Sequence, residues 1–184
     1  MGNRTKKISM TSREFAHDAH NSIDQKRKYS GEPYWIHTDE VSDMAFAATR
    51  NHICRMAGDL HDVLEDVWPH NPYFSPQRIA EVFGLSVSIV TENLTDTFTS
   101  EKYPHFNRGK RKGLEADRYF ALGRDELAYE THSVKLCDLI SNTRDIASAD
   151  PGFARIYLKE KELLLHALYA GDANPLPRTG ASYE

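Results

Sequence analysis

Two short stretches hold most of the residues that could do chemistry. Placed at about 100° per residue, Met56, Ala57, Leu60, Val63, Leu64 and Val67 fall on one arc of a helix, and His61, Asp62, Glu65 and Asp66 fall on the opposite arc. Solvated helix faces usually mix charge signs, because like charges four residues apart cost about 0.2–0.5 kcal/mol. Here three carboxylates and one imidazole stand with no Lys or Arg among them, and Asp62 stacks on Asp66. A bound divalent cation would remove that conflict. In the second stretch, Asp138, Asn142 and Asp145 recur at i, i+4 and i+7 beside Lys135, opposite Leu136, Leu139, Ile140 and Thr143. An adjacent His-Asp pair, a lone upstream His and an Asp on a separate helix form a mixed nitrogen and oxygen ligand set. Such a set suits Mn²⁺, Fe²⁺ or Zn²⁺ better than Ca²⁺, and the lack of thiolate argues against structural zinc. An ion held this way with open positions is suited to hydrolysis.

The elements that must position these residues read as helices throughout, since no segment sustains a period of two. Thr11 and Glu14 have the spacing of a capping box, which predicts a helix to about Gln25. Ser75 before Pro76 opens a short helix that Gly84 closes, and Ser86 is expected to cap the next. Asn107 opens a basic helix ending near Gly123, Asp125 caps a long one reaching about Asp145, and Asp150-Pro151 opens the last, stopped by Gly171. The expected architecture is one all-α domain of about seven or eight helices over residues 1–171, with a flexible polar tail over 172–184.

Composition narrows the function classes. The chain has 184 residues, 23 basic and 27 acidic, with net charge -4. That balance lacks the basic footprint of a nucleic-acid binder. Hydrophobic residues make up 40% and aromatics 10%, which excludes a disordered chain. No apolar run approaches membrane-spanning length, and no apolar segment follows the basic MGNRTKKISM start. A cytoplasmic protein without membrane or nucleic-acid partners is expected, with Cys54 and Cys137 buried and reduced.

The motifs GEPYWIHT (31–38), DLHDVLEDV (59–67), FG (83–84), LTD (94–96) and KLCDLISNTRD (135–145) occur in that order. In these motifs, and over about residues 10–170, the chain resembles the HD-domain (p)ppGpp hydrolases: the hydrolase half of RelA/SpoT-type enzymes and the stand-alone small alarmone hydrolases. The resemblance implies an HD-domain helical bundle. It also implies one divalent ion, typically Mn²⁺, held by His37, His61, Asp62 and Asp138. It implies Glu65 and Asp66 as the catalytic pair, and Arg27, Lys28 and Asn142 as contacts to a small-molecule nucleotide. The implied reaction removes the 3′-pyrophosphate from ppGpp or pppGpp, leaving GDP or GTP, with no synthetase or regulatory domain attached.

The chain departs from the family pattern at three points. Tyr29 and Ser30 both separate the Arg-Lys pair from Gly31, Thr38 replaces a usual Pro, and Asp145 stands where many members carry a neutral residue. An ionised Asp145 would repel phosphate, so it is expected to be turned aside or neutralised by Arg144 or a Lys. Two other readings stay open. One is the same machinery acting on another nucleotide, such as a 3′-phosphorylated cofactor or a nucleoside polyphosphate. The other is a non-catalytic nucleotide-binding or antitoxin module, which the survival of every matched ligand disfavours. Outside the motifs, His17 and His20 are expected to be structural, Tyr34 and Trp35 to orient His37 by packing, and the Arg108–Lys112 run to be a solvated helix start or a source of phosphate contacts. Tyr157 and Lys161, at i and i+4 on the last helix, are expected to be structural, with Lys161 able to face the pocket.

Overall fold

The computed structural model describes residues 10–170; the expected stop at Gly171 and tail at 172–184 lie outside them. The helices are α1 (Ser12–Ser22), α2 (Trp35–Thr49), α3 (His52–Leu60), α4 (Pro76–Phe83), α5 (Leu85–Leu94), α6 (Arg108–Leu122), α7 (Ala128–Ala149) and α8 (Pro151–Ala170). A π-helical turn spans Val63–Val67 and a 3₁₀ turn spans Pro72–Phe74. Among the described residues there is no strand, only an isolated bridge between Lys26 and Pro33. This is the expected all-α HD-type bundle. No helix among the described residues is long and apolar enough to cross a membrane.

Several boundaries differ from the sequence expectation, each for a local reason. Both halves of the Thr11/Glu14 capping box form, but α1 stops at Ser22, where Asp24 takes a left-handed φ of 49°. That early stop turns Gln25 back toward the bundle. The span read as one helix from Met56 to Val67 is broken: α3 ends at Leu60, Asp62 sits at φ -98° and ψ -3°, and a π turn follows. The wider turn keeps Val63, Leu64 and Val67 buried while Glu65 and Asp66 stay on the open side. Gly84, at φ 98°, starts α5 in place of Ser86, because this left-handed-region angle suits glycine. Asp125 lies in a turn, its carbonyl accepting from Ala128 N–H at 3.1 Å, so α7 begins two residues later than expected and runs on to Ala149.

Three apolar clusters hold the bundle. One joins Phe15 and Ala19 of α1 to Leu60, the π turn, Phe74 and Ile79. A second packs α2, α3, α5 and α7 around Val41, Ala57, Val90 and Val134. The third seats α8 on α6 and α7 through Tyr119, Leu139 and Leu168. Buried polar bonds fix the docking angles. Asp59 accepts from Ser12 Oγ at 2.6 Å and Arg13 Nε at 3.3 Å, tying α1 to α3. Glu115 accepts from the N–H groups of Thr97 and Phe98, both at 2.5 Å, while Arg118 donates to the carbonyls of Asn93 and Thr95. Together they pin the loop after α5 to α6.

α2 crosses α3 closely at Gly58. A Cβ added at Gly58 would lie 2.7 Å from Ser42 Cα, closer than real contacts allow, and backbone cannot yield as a flexible side chain does. Gly58→Ala should therefore cost about 1–3 kcal/mol, the usual scale of overpacking. At about 2–4 °C per kcal/mol for a chain of this size, thermal unfolding should shift down by several degrees. An unchanged midpoint would mean that the crossing has slack.

Candidate metal centre and cleft

The centre forms where α2, the end of α3 and α7 meet. His37 comes from α2, His61 closes α3, Asp62 opens the π turn and Asp138 comes from the middle of α7. His37 Nε2 and His61 Nε2 stand 3.3 Å apart. Asp138 Oδ1 lies 3.4 Å from the first and 3.7 Å from the second; Asp62 Oδ2 lies 3.7 Å and 3.0 Å from them. His37, His61 and Asp138 are all buried and present ligand atoms within 4.8 Å of one another. Asp62 flanks that triad at its rim and is about one-fifth exposed.

The ring nitrogens can be assigned from their partners. His61 Nδ1 lies 2.9 Å from the Gly58 carbonyl, which only accepts, so Nδ1 carries the hydrogen. Ser141 Oγ donates to Glu40 Oε2 at 2.6 Å and so accepts from His37 Nδ1 at 2.9 Å. In the neutral rings, both Nε2 atoms are then bare lone pairs facing each other and two carboxylates. Four acceptors pressed together in a buried site require positive charge between them. The protonation energetics reflect this. Burial opposes an imidazolium at His61, yet Asp62 and Asp138 hold its pKa well above the ordinary range. Asp138 is held well below the usual carboxylate range: burial would raise it, but Lys135 at 3.0 Å and the two imidazoles prevail. Two imidazole nitrogens with one or two carboxylates, each imidazole oriented through its other nitrogen, is a donor set that fits a divalent cation.

Glu65 and Asp66 lie beyond the donor cluster along the cleft. Glu65 accepts from the Asp96 N–H at 2.9 Å, and desolvation by the cleft walls, then the Asp96 and Asp62 carboxylates, push it up to about 7. Asp66 accepts from Gln25 Nε2 at 2.7 Å, and burial, then Asp62, push it up to about 6. Gln25 is itself fixed by His20, whose Nδ1 lies 2.7 Å from Gln25 Oε1.

The other expected residues divide into two groups. Arg27 reaches across to α7: Nη1 donates to Asn142 Oδ1 at 3.4 Å, and Nε, at 3.1 Å, and Nη2 both donate to Asp145 Oδ2. Asp145 is thus neutralised by Arg27; Arg144, the expected partner, is instead bound to Glu40 at 2.9 Å. The difference follows from helix geometry: Arg144 lies one residue, roughly 100°, around α7 from Asp145. Asn142 also donates to Asp138 Oδ1 at 2.5 Å. Lys28 stays apart and exposed, over the ring of its neighbour Tyr29. Arg27, Tyr29, Ile36, His37, Glu40 and Asp145 line a side cavity of about 240 Å³ next to the centre.

Some supporting groups were not foreseen. Tyr34 does more than pack: its hydroxyl donates to Asp62 Oδ2 at 2.7 Å. Glu40, Ser141 and Gln25 are polar residues whose sequence neighbours give no sign of the cleft. His17 pairs with Asp39 at 2.9 Å and takes no part in the centre. In the basic run, Arg108 is bound to Glu160 at 2.6 Å and Lys112 to Asp96 at 2.8 Å.

No family model matches the chain. It is similar to the guanosine-3′,5′-bis(diphosphate) 3′-pyrophosphohydrolase of Haemophilus influenzae, 28% identical over 149 residues that cover 79% of this chain and 20% of that protein. It is likewise similar to the probable guanosine-3′,5′-bis(diphosphate) 3′-pyrophosphohydrolase of Synechocystis sp., 28% identical over 150 residues covering 79% and 18%. The chain therefore spans about a fifth of the length of these distant relatives.

The Glu40–Ser141–His37 relay yields a test of the centre. Ser141→Ala removes the acceptor that orients His37 without touching a ligand atom, and loss of such a partner typically weakens metal binding about 10–100-fold. Competition against a chromophoric chelator should show that drop for Mn²⁺. Equal affinity in both proteins would mean that His37 does not bind the ion.

Proposed function

We propose that the chain is a divalent-metal-dependent phosphohydrolase that removes the 3′-pyrophosphate from guanosine 3′,5′-bis(diphosphate) nucleotides. The pair of bare, buried imidazole nitrogens facing Asp138 and Asp62 carries this reading, and the names of the two distant relatives supply the substrate class. His37, His61, Asp62 and Asp138 would hold the ion, with Mn²⁺ the proposed occupant and Fe²⁺ or Zn²⁺ chemically compatible. Once bound, the ion acidifies water and neutralises charge developing on a phosphoryl group.

The chain's own residues account for the remaining steps. Glu65, held near 7, is close to the operating pH, where a carboxyl can both take and return a proton. Asp66, held near 6 and fixed by Gln25, is the second carboxyl of the pair. Arg27, with Asn142 behind it and Asp145 balancing its charge, presents a guanidinium plane at the cleft mouth, suited to a base or a phosphate edge. Lys28 is free to approach a phosphate from the solvent side.

Glu65→Gln and Asp66→Asn should keep the fold and the metal while losing about 10²-fold or more in turnover. Unchanged turnover in both would sink the assignment. The pH profile gives an independent check. A carboxyl held near 7 is protonated below that pH and ionised above it, so kcat/KM should climb through the neutral range as Glu65 ionises. Cation binding nearby would move that limb lower, and Glu65→Gln should abolish it. The substrate is decided by turnover of a panel comprising ppGpp, NADPH and deoxynucleoside triphosphates. Equal or better hydrolysis of a compound without a 3′-pyrophosphate would leave only the broader nucleotide phosphohydrolase.

A further inference from the structure

The end of α1 carries a buried titratable side chain that takes no part in the donor cluster. His20 has no exposed surface, and its Nε2 has no hydrogen-bond partner among the described residues. A buried polar atom left unpaired costs free energy. Burial, the largest influence, lowers the His20 pKa, so the ring is neutral at pH 7. The ring packs against Tyr34 with centroids 4.9 Å apart, a contact that an apolar ring would make equally. What an apolar ring would lack is Nδ1, which lies 2.7 Å from Gln25 Oε1. The main chain of Gln25 is fixed on both sides: its N–H donates to the His20 carbonyl, and its carbonyl accepts from Tyr34 N–H, both at 3.1 Å. Its side-chain amide then meets two different partners. Nε2 donates to Asp66 Oδ2 at 2.7 Å. An ionised carboxylate only accepts, so the amide nitrogen must face it and Oε1 must accept from His20 Nδ1–H. A flipped amide would set Oε1 against the carboxylate, and the ring would have to carry its proton on Nε2, where it meets no acceptor. His20 therefore selects the amide orientation that Asp66 needs. Asp66 is half-buried, and its Oδ1 has no hydrogen-bond partner among the described residues.

We infer that Gln25 is a positioning residue for Asp66, itself oriented by His20, so that Asp66 Oδ2 is anchored and Oδ1 is presented to the reacting water or substrate. The inference rests on the phosphohydrolase reading and adds to it how the second carboxyl of the pair is aimed. In this role neither residue touches the substrate: His20 acts through Gln25, and Gln25 acts through Asp66.

Steady-state kinetics on ppGpp with the Mn²⁺-loaded protein test this. Gln25→Met, at a half-buried position, should lower kcat about 10–100-fold, the scale of a misaimed catalytic group, and leave KM unchanged. Arg27 lies only two residues on, so a loop disturbed as a whole would raise KM instead. His20→Phe should also lower kcat, and the double variant should lose no more than Gln25→Met alone, because both act through one amide. In an Asp66→Ala background, Gln25→Met should cost nothing further, and this comparison decides the matter even if His20→Phe does not fold. Losses that multiply in either combination would overturn the inference, as would an unchanged kcat in Gln25→Met. The side-chain amide of Gln25 in ¹⁵N-labelled, Zn²⁺-loaded protein gives a readout independent of turnover. Its two protons should be shifted from the free-amide position and slow to exchange, and Asp66→Ala and His20→Phe should each return them toward it. An amide signal indifferent to both substitutions would also overturn the inference. That dependence without turnover of any nucleotide would support the His20–Gln25–Asp66 chain and overturn the hydrolase reading. Hydrolysis of ppGpp with kcat unchanged in Gln25→Met would overturn this inference alone.

Discussion

Two imidazole nitrogens held face to face, with carboxylate oxygens against both, impose the constraint on which the rest of this bundle depends. Each ring is fixed from behind, His61 by the Gly58 carbonyl and His37 by Ser141 and Glu40, so neither can rotate away from the other. The fixing groups lie on the three helices that carry the donors. Gly58 is also the residue that lets α2 and α3 approach closely enough to bring the rings together. Packing and chemistry are therefore one problem here: the same small residue sets the crossing and supplies the carbonyl.

Around this centre the cleft is organised by carboxylates with different partners. Asp138 has Lys135, Asp145 has Arg27 and Asp96 has Lys112, and each of these carboxylates has a cation as its partner. Glu65 and Asp66 instead receive only neutral donors, the Asp96 N–H and the Gln25 amide. Without a cationic partner, desolvation and neighbouring carboxylates (Asp96 and then Asp62 at Glu65, Asp62 at Asp66) hold both carboxyls in the range where protons exchange near neutral pH. The difference between the ion-paired carboxylates and Glu65 and Asp66 is thus a difference of partner charge.

Much of this is legible in the pattern of residues. The unbalanced acidic arc at 61–66 and the i, i+4, i+7 series at 138–145 are local periodicities, and local periodicity is what a sequence displays directly. Helix starts written by side-chain caps, at Thr11, Ser75 and Asn107, appear where expected. Starts set by backbone angle do not: Gly84 rather than Ser86 begins α5, and Leu127, with no capping side chain, precedes α7. Groups that act across long sequence distance were also hidden. Ser141 is an unremarkable buried serine until His37, 104 residues away, is placed against it. The pairing of Asp145 with Arg27 spans 118 residues, and nothing in the local string separates it from a pairing with adjacent Arg144.

The π turn at Val63–Val67 bears on how such a site can change over time. A π turn holds one residue more than the α turn it replaces, so it is a matter of chain length as much as of residue type. Substitutions can alter what the turn displays, but only gain or loss of a residue can create or erase it. Losing one residue there would let α3 continue as a regular rod and would turn Glu65 and Asp66 by roughly 100° about its axis, relative to His61. The apolar side chains could be replaced one at a time by others of similar volume without that rotation. The spacing between the donor pair and the acid pair is therefore less free to drift than the identity of the hydrophobic residues between them.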